Sequence, residues 1–430
     1  MDEIVDSAVK QPERPKLIEI MGPGLITGAS DDDPSGIATY SQVGAQFGYG
    51  LGWLLVFSYP LMAAIQEISA RIGRVTGHGI AGNLKRHYPA WLLHGVVGLM
   101  VIANIINIGA DLGAMGAALQ LLIGGPVLLY VGVFAVVTIV LEIFMRYSRY
   151  VSVLKYLTLS LLAYVATVFV VGVPWGEVAW SVLVPKLSFE HDSIVAIVAV
   201  LGTTISPYLF FWQAEEEVEE EKEKPEKSPL IRSPKAAPAE FSRIRLDTYV
   251  GMALSNLVAL FIVITTAATL HAHGMTDIQT SAQAAQALKP IAGPFAFALF
   301  AAGIIGTGLL ALPVLAGSAA YALGESHGWR VGLANKAGRA KPFYATIAIA
   351  TLVGAAMNFS SIDPIKALFW SAVINGIVAV PMMVAMMLLG QRKDVMGKFT
   401  LPPGLRVFGW VATGVMGATV LALAVTSLGL

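Results

Sequence analysis

Residues 20–48 read IMGPGLITGASDDDPSGIATYSQVGAQFG. An apolar, helix-compatible run meets three consecutive aspartates, Asp31, Asp32 and Asp33, then Pro34, Ser35 and Gly36, and afterwards resumes. Pro34 removes a backbone donor and Gly36 loosens the chain, so the helical hydrogen-bond ladder is interrupted here. In a soluble protein this would be a loop between two short helices. The surrounding composition decides otherwise: the 430-residue chain is 56% hydrophobic and 13% charged, with a mean hydropathy of +0.70. That charged share is about half what a soluble domain carries, and its exterior would set apolar side chains against water. Lipid accepts such a chain once every backbone polar group is paired within helices. The chain is therefore expected to be an all-α integral membrane protein. Three carboxylates at bilayer depth are costly unless they line water or hold a cation.

The other bulk properties narrow the function. Lys and Arg number 28, Asp and Glu 28, and cysteine is absent. No disulfide scaffold or thiolate metal site is available, and there is no basic excess for nucleic acid. The polar stretch 1–16 (MDEIVDSAVKQPERPK) is too charged for a cleaved signal and reads as a tail. No span holds a His-Glu-x-x-His or Gly-x-Ser-x-Gly pattern, which argues against an intramembrane enzyme. A channel would need a continuous polar pore rather than two offset breaks.

Eleven stretches are long and apolar enough to span: 17–48 (interrupted), 50–70, 91–123, 126–145, 151–174, 190–213 (interrupted), 247–271, 294–323, 342–359, 365–390 and 405–428. With the N-terminus cytoplasmic, 25 of the 28 basic residues fall on the cytoplasmic side, and only Lys186, Lys289 and Lys366 on the other. That asymmetry follows the positive-inside rule and puts the C-terminus outside, in a multi-pass plasma-membrane protein. The hydrophilic stretch 214–246 is the one sizeable loop. Its acidic run Glu215–Glu226 reads as a hydrated helical overhang that leads into a flexible Pro/Ser/Ala cytoplasmic linker. Glu67 with Arg71, and Glu142 with Arg146, are spaced i,i+4 as local ion pairs.

The sixth span, SIVAIVAVLGTTISPYLFFWQ, is broken at Thr203-Thr204-Ile205-Ser206-Pro207. A lone proline in a membrane helix is ordinarily a kink. Two breaks five spans apart, one bearing carboxylates, instead match transporters built from inverted repeats, whose site lies between two broken helices. Spans 1–5 (17–174) and 6–10 (190–390) are then the repeats, with 214–246 as the linker and span 11 (405–428) appended. The breaks present carboxylates, hydroxyls and carbonyls, an all-oxygen set suited to hard divalent cations.

GPGLITGASDDDPSGIATY, followed by ARIGRVTGHG and later by RLDTYVGMALSNL, resembles the natural resistance-associated macrophage protein (NRAMP) family of divalent metal transporters. The resemblance implies the leucine-transporter fold, with 5+5 inverted repeats and broken helices 1 and 6. Carried over residue by residue, the family's metal-binding Asp falls on Asp33 and its Asn on Gly36. The alanine whose carbonyl ligates metal falls on Thr203, the thioether methionine on Ser206, and the following His on Tyr208. In the third span the proton-relay aspartate falls on Asp111, and the two relay glutamates on Asn104 and Ala114. Asn375 is the nearest tenth-span polar ligand. Asp31 and Asp32 are candidates for a vestibule or an additional ligand role. Asp111 is either functional or satisfied by Asn107 or a hydroxyl.

The soft ligand is gone and the acidic relay thinned, which resembles the NRAMP-related magnesium transporter branch. The expectation is a secondary carrier importing Mg²⁺, and also Mn²⁺, partly hydrated and without proton coupling. The alternative is a proton-coupled Mn²⁺/Fe²⁺ symporter. The metal is cargo rather than cofactor; the other expected partner is the lipid bilayer, with no obligate protein partner.

Overall fold

The computed structural model describes residues 23–144, 159–223, 228–360 and 363–428, and among them the regular structure is entirely helical. The main helices are α1 (Pro23–Asp31), α2 (Pro34–Phe47), α3 (Trp53–Thr76), α4 (Ile80–His87), α5 (Ala90–Ile123), α6 (Val127–Phe144), α7 (Leu162–Val170) and α8 (Trp175–Leu183). They continue as α9 (His191–Thr204), α10 (Pro207–Glu223), α11 (Ala237–Thr269), α12 (Ala296–His327), α13 (Lys341–Met357), α14 (Pro364–Gln391) and α15 (Pro403–Ser427). Among the described residues, eight helical stretches are long and apolar enough to cross a bilayer. The first expected span is divided into α1 and α2, and the ninth is only 17 residues long, Lys341–Met357. The fifth begins at 151–158, outside the described residues. Eleven spans thus remains an expectation drawn from hydropathy and charge.

Both breaks are built as the proline chemistry dictates. Pro34 opens α2, and Asp33 before it is extended (φ −70°, ψ 172°), the conformation a following proline imposes. Asp33 caps α2 by accepting the Gly36 N–H at Oδ1 (2.7 Å). At the second break Ile205 leaves helical geometry (φ −120°, ψ 57°) and Pro207 starts α10. The Ser206 hydroxyl donates back toward the carbonyls of Gly202 (2.8 Å) and Thr203 (2.6 Å), covering acceptors that the break orphans.

Glycines let the broken helices approach their neighbours. A Cβ on Gly202 would lie 2.0 Å from the Ala372 carbonyl oxygen on α14, and one on Gly28 would lie 2.5 Å from the Gly251 backbone on α11. The α5 helix runs through the middle and packs on α12, α13 and α14. At the periphery, α6 exposes Leu129, Val133, Val136 and Val140, and α15 exposes Val407, Phe408 and Leu421. Apolar faces of that extent suit lipid.

The acidic overhang is a correction. Residues 215–223 extend α10 as expected, but Glu215, Glu217 and Glu219 are buried. Glu217 pairs with Arg243, Glu219 accepts the Tyr321 hydroxyl (2.7 Å), and Arg74 reaches Glu221 (3.1 Å) and Glu240 (3.2 Å). The segment after it is docked rather than loose: Leu230 and Ile231 donate N–H groups to the carbonyls of Arg74 and Val75 (both 3.2 Å) at the end of α3. Charge runs stay hydrated only where no counter-charges are folded against them, and here Arg74 and Arg243 supply them. The Glu67–Arg71 pair forms at 2.7 Å, buried rather than at the surface. The partner expected for Glu142, Arg146, lies outside the described residues.

Candidate metal centre

The two breaks face one another. Tyr208, at the start of α10, donates its hydroxyl to Asp33 Oδ2 (3.0 Å) and lies 3.4 Å from the Ser30 carbonyl oxygen at the end of α1. Ser35 donates to Asp33 Oδ1 (2.7 Å), beside the capping Gly36 N–H. On α2, the Tyr40 hydroxyl lies 3.0 Å from the Thr203 hydroxyl of α9. Asp33 is thus held by three donors at the junction of four half-helices.

Asp31 and Asp32 are 1% and 6% exposed and turn toward α11, where the Ser255 hydroxyl donates to Asp31 Oδ2 and lies 3.3 Å from Asp32 Oδ1. Asp31 Oδ1 has no hydrogen-bond partner. The start of α1 is tied down as well, because the Gly24 N–H donates to Asp247 Oδ2 (2.6 Å).

A second polar group comes from α5 and α14. Asn107 donates its amide to Asn375 Oδ1 (2.9 Å), leaving Asn107 Oδ1 and Asn375 Nδ2 without partners. Asp111 is fully buried and neither carboxylate oxygen has a hydrogen-bond partner, so Asn107 does not satisfy it. Asp33 and Tyr208 lie within electrostatic reach of it. Asn104 is turned away from this group: its amide donates to the Leu315 carbonyl and Ser318 Oγ on α12 (both 2.8 Å).

Among the described residues no Lys or Arg forms an ion pair with Asp31, Asp32, Asp33 or Asp111. Buried carboxylates without counter-charge require a cation or a proton. Nor is any group of three or more His, Cys, Asp or Glu side chains among them spaced to hold a metal ion alone. An ion here would meet carboxylate, carbonyl, amide and hydroxyl groups rather than a cage of formal charges.

Some expected ligand groups are otherwise engaged. The Ser206 hydroxyl points at backbone carbonyls, and the Thr203 hydroxyl reaches the Val200 carbonyl (2.9 Å) as well as Tyr40. Gly36 leaves its face of α2 bare; a Cβ there would be 3.4 Å from the Asp31 carbonyl oxygen and 3.6 Å from Asp33 Oδ1. Three residues outside the expected set join the site: Tyr40, Asn107 and Ser255. Tyr40 is one helical turn beyond Gly36 and Asn107 one turn before Asp111, so the i,i+4 spacing was the available signal. Ser255 carried no local signal.

A family model described as natural resistance-associated macrophage protein-like matches residues 24–426. The divalent metal cation transporter MntH of Klebsiella pneumoniae is 24% identical over 425 residues, covering 96% of this chain and 95% of its own. That of Burkholderia ambifaria is 26% identical over 414 residues, covering 93% and 87%. The manganese transporter of Eremococcus coleocola, crystallised with an aromatic bis-isothiourea substituted compound, aligns with a TM-score of 0.74 at 18% identity over 98% of this chain and 90% of its own.

Proposed function

The chain belongs to the natural resistance-associated macrophage protein-like family and is a multi-pass membrane transporter of divalent metal cations, and we propose that its cargo is chiefly Mg²⁺, with Mn²⁺ also carried. The relatives are metal ion transporters and not enzymes. The observation that carries the magnesium reading is a set of buried polar atoms left unpartnered: Asp111 Oδ1 and Oδ2 and Asp31 Oδ1, on carboxylates within electrostatic reach of Asp33, and Asn107 Oδ1 and Asn375 Nδ2, on the helices α5 and α14 that pack against α2. Acceptors and a donor that stand apart from one another suit an ion that keeps part of its water shell, because waters bridge what the side chains do not reach. Mg²⁺ binds oxygen in octahedral geometry and sheds water reluctantly. A thioether would favour softer ions, and the position where the resemblance expects one carries Ser206.

Transport is proposed to run into the cytoplasm, across the plasma membrane, with the N-terminus inside and the C-terminus outside; the 25-to-3 distribution of basic residues supports that orientation. The two inverted repeats are proposed at 17–174 and 190–390, with span 11 at 405–428. Asp33 supplies the formal charge, with Gly36, Thr203, Ser206 and Asn375 around it. Proton coupling is proposed to be absent: the relay positions carry Asn104, Ala114 and Tyr208, and Asn104 is bonded into α12. One observation favours the second reading, a proton-coupled Mn²⁺/Fe²⁺ symporter: Asp111 keeps both oxygens unpartnered and is able to carry a proton.

Reconstitution into liposomes with a lumenal pH dye separates the two. The expected result is saturable Mg²⁺ and Mn²⁺ uptake without a metal-dependent pH change. Mn²⁺ uptake with no Mg²⁺ flux at millimolar concentration would refute the magnesium reading.

A further inference from the structure

The α4 helix begins without a side chain of its own to cap it, since Gly79 stands at the N-cap. Glu325, near the end of α12, supplies the cap from outside: Oε1 accepts the Gly79 N–H (2.9 Å) and Oε2 the Gly82 N–H (2.6 Å). Both oxygens accept, and a helix N-terminus favours an anion, so Glu325 is held as a carboxylate. Glu215 on α10 enters the same corner. A Cβ on Gly79 would lie 1.7 Å from Glu215 Oε1 and 2.7 Å from Glu325 Oε2. Those two oxygens therefore stand no farther apart than about 4.4 Å, a separation at which two buried carboxylates do not both stay ionised.

Glu215 is 1% exposed, and neither of its oxygens has a hydrogen-bond donor. Among the described residues no Lys or Arg forms an ion pair with Glu215 or Glu325. The charged and titratable groups around this corner are engaged elsewhere or lie at its rim. On α10, Glu219 accepts the Tyr321 hydroxyl of α12, and Lys222 is exposed. Arg74 on α3 is committed to Glu221 and Glu240. His78, just before α4, is within electrostatic reach of Glu325 and Arg86. The Lys85 ammonium would meet a Cβ on Gly328 at 3.0 Å, and His94 on α5 faces His327. Both glutamates lie beyond the spans expected to end at 213 and 323. Burial, and then Glu325, raise the pH at which Glu215 loses its proton; Lys222 offsets only part of that.

We propose that Glu215 and Glu325 form a proton-binding site, separate from the metal centre, in which one shared proton clasps α10 to α4 and α12. Glu215 donates its O–H to the Glu325 carboxylate, and this charge-assisted bond replaces repulsion between two anions. The clasp is made while the proton is present and is lost as the pH rises, when Glu215 ionises beside Glu325. It holds the far end of the helix whose first turn carries Tyr208, the residue bonded to Asp33. The proton is taken up and released on one face, which the proposed orientation puts in the cytoplasm. A pH response of this origin needs no proton to cross the membrane, so it goes beyond the transport reading and is separate from energy coupling.

Hydrogen exchange of the full chain in detergent, read by mass spectrometry, tests the clasp. After correction for intrinsic rates, protection of residues 79–87 and 212–223 should fall as the pH is raised from about 5 to about 9, by up to about tenfold per pH unit, the slope of one proton. Glu215→Gln keeps a donor toward Glu325 but has no proton to lose, so its protection should stay level over the same range. The infrared carbonyl band of protonated carboxyl groups should be weaker by one group in Glu215→Gln at the low end of that range. In the parent the same band should fade as the pH rises. The exchange series and the infrared titration are both read on the parent, so they decide the site even where the variant does not fold. Protection in the parent that ignores pH, an equal slope in Glu215→Gln, or an unaltered infrared band would overturn it. So would loss of protection at low pH on adding EDTA, because a metal ion rather than a proton would then hold the pair. None of these readings involves metal flux, so absence of Mg²⁺ or Mn²⁺ transport would refute the cargo reading and leave the clasp to be decided by exchange.

Discussion

Asp33 does two things with one side chain: Oδ1 caps α2 through the Gly36 N–H, and the carboxylate brings a formal charge to the junction of the breaks. The two are separable by mutation. Asn caps helices about as well as Asp, whereas Ala loses about 1 kcal/mol. Asp33→Asn should therefore retain the thermal stability of the parent, measured in detergent, while uptake falls to background; Asp33→Ala should lose both. Full uptake in Asp33→Asn would place the essential charge elsewhere, with Asp111 the next carboxylate to test. Selectivity is set at the same scale. Gly36 has room for a side chain only at the cost of moving Tyr40, and Ser206 is occupied with carbonyls. Ser206→Met combined with Gly36→Asn should reduce Mg²⁺ uptake more than Mn²⁺ uptake, because it adds a soft ligand and fills space that water needs. Equal losses for the two ions in a competition assay would show that these positions do not discriminate.

At the scale of elements, the half-helices are held by close backbone contact and by polar clasps at their ends. α1 lies against α11 through Gly24 and Gly28, and the Gly24 N–H and Asp31 are bonded to Asp247 and Ser255. α9 lies against α14 through Gly202. Gly202→Ala would drive a methyl into the Ala372 carbonyl and should destabilise by roughly 1–3 kcal/mol. Gly95→Ala on α5 meets nothing within 4 Å and should be neutral or slightly stabilising. Thermal melts of the two variants side by side check the contrast, and similar melting points would mean that α9 and α14 slide apart freely. Ser255→Ala should cost about 1–3 kcal/mol, since it strips the donor from a buried carboxylate; a melt unchanged from the parent would show that the clasp carries no load.

The whole molecule is a leucine-transporter fold in which lipid-facing apolar helices surround a polar centre. Two properties belong to this scale. Orientation follows from charge distribution, so a cysteine at Lys235, in the segment between α10 and α11, should be protected from an impermeant thiol reagent in intact cells, and one at Ala272, in the exposed turn after α11, should react. The reverse pattern would invert the topology. Energy coupling depends on a chain of titratable groups from site to solvent, and the proposal that it is absent rests on Asn104, whose amide is bonded to α12. Metal uptake should leave the lumenal pH of liposomes unchanged; a metal-driven acidification that disappears in Asp111→Asn would establish the symporter instead.

Composition and hydropathy by themselves determined the membrane class and most of the helices, because lipid burial leaves a signal averaged over about 20 residues. The two breaks were equally legible, since Pro34 and Pro207 act on their own backbone. From the sequence came the three aspartates of the first break, and from the resemblance came the choice of Asp33 among them and its expected neighbours by position. Tertiary structure alone decided which polar atoms meet. It turned Asn104 into α12, paired Asn107 with Asn375, left Asp111 without a hydrogen bond and brought Tyr40 to Thr203 across 163 residues. It also folded the acidic overhang onto Arg74 and Arg243. Hydropathy is a property of each residue, whereas a hydrogen bond depends on where a second residue is carried by helix packing, and that geometry is set by the packing of the whole bundle.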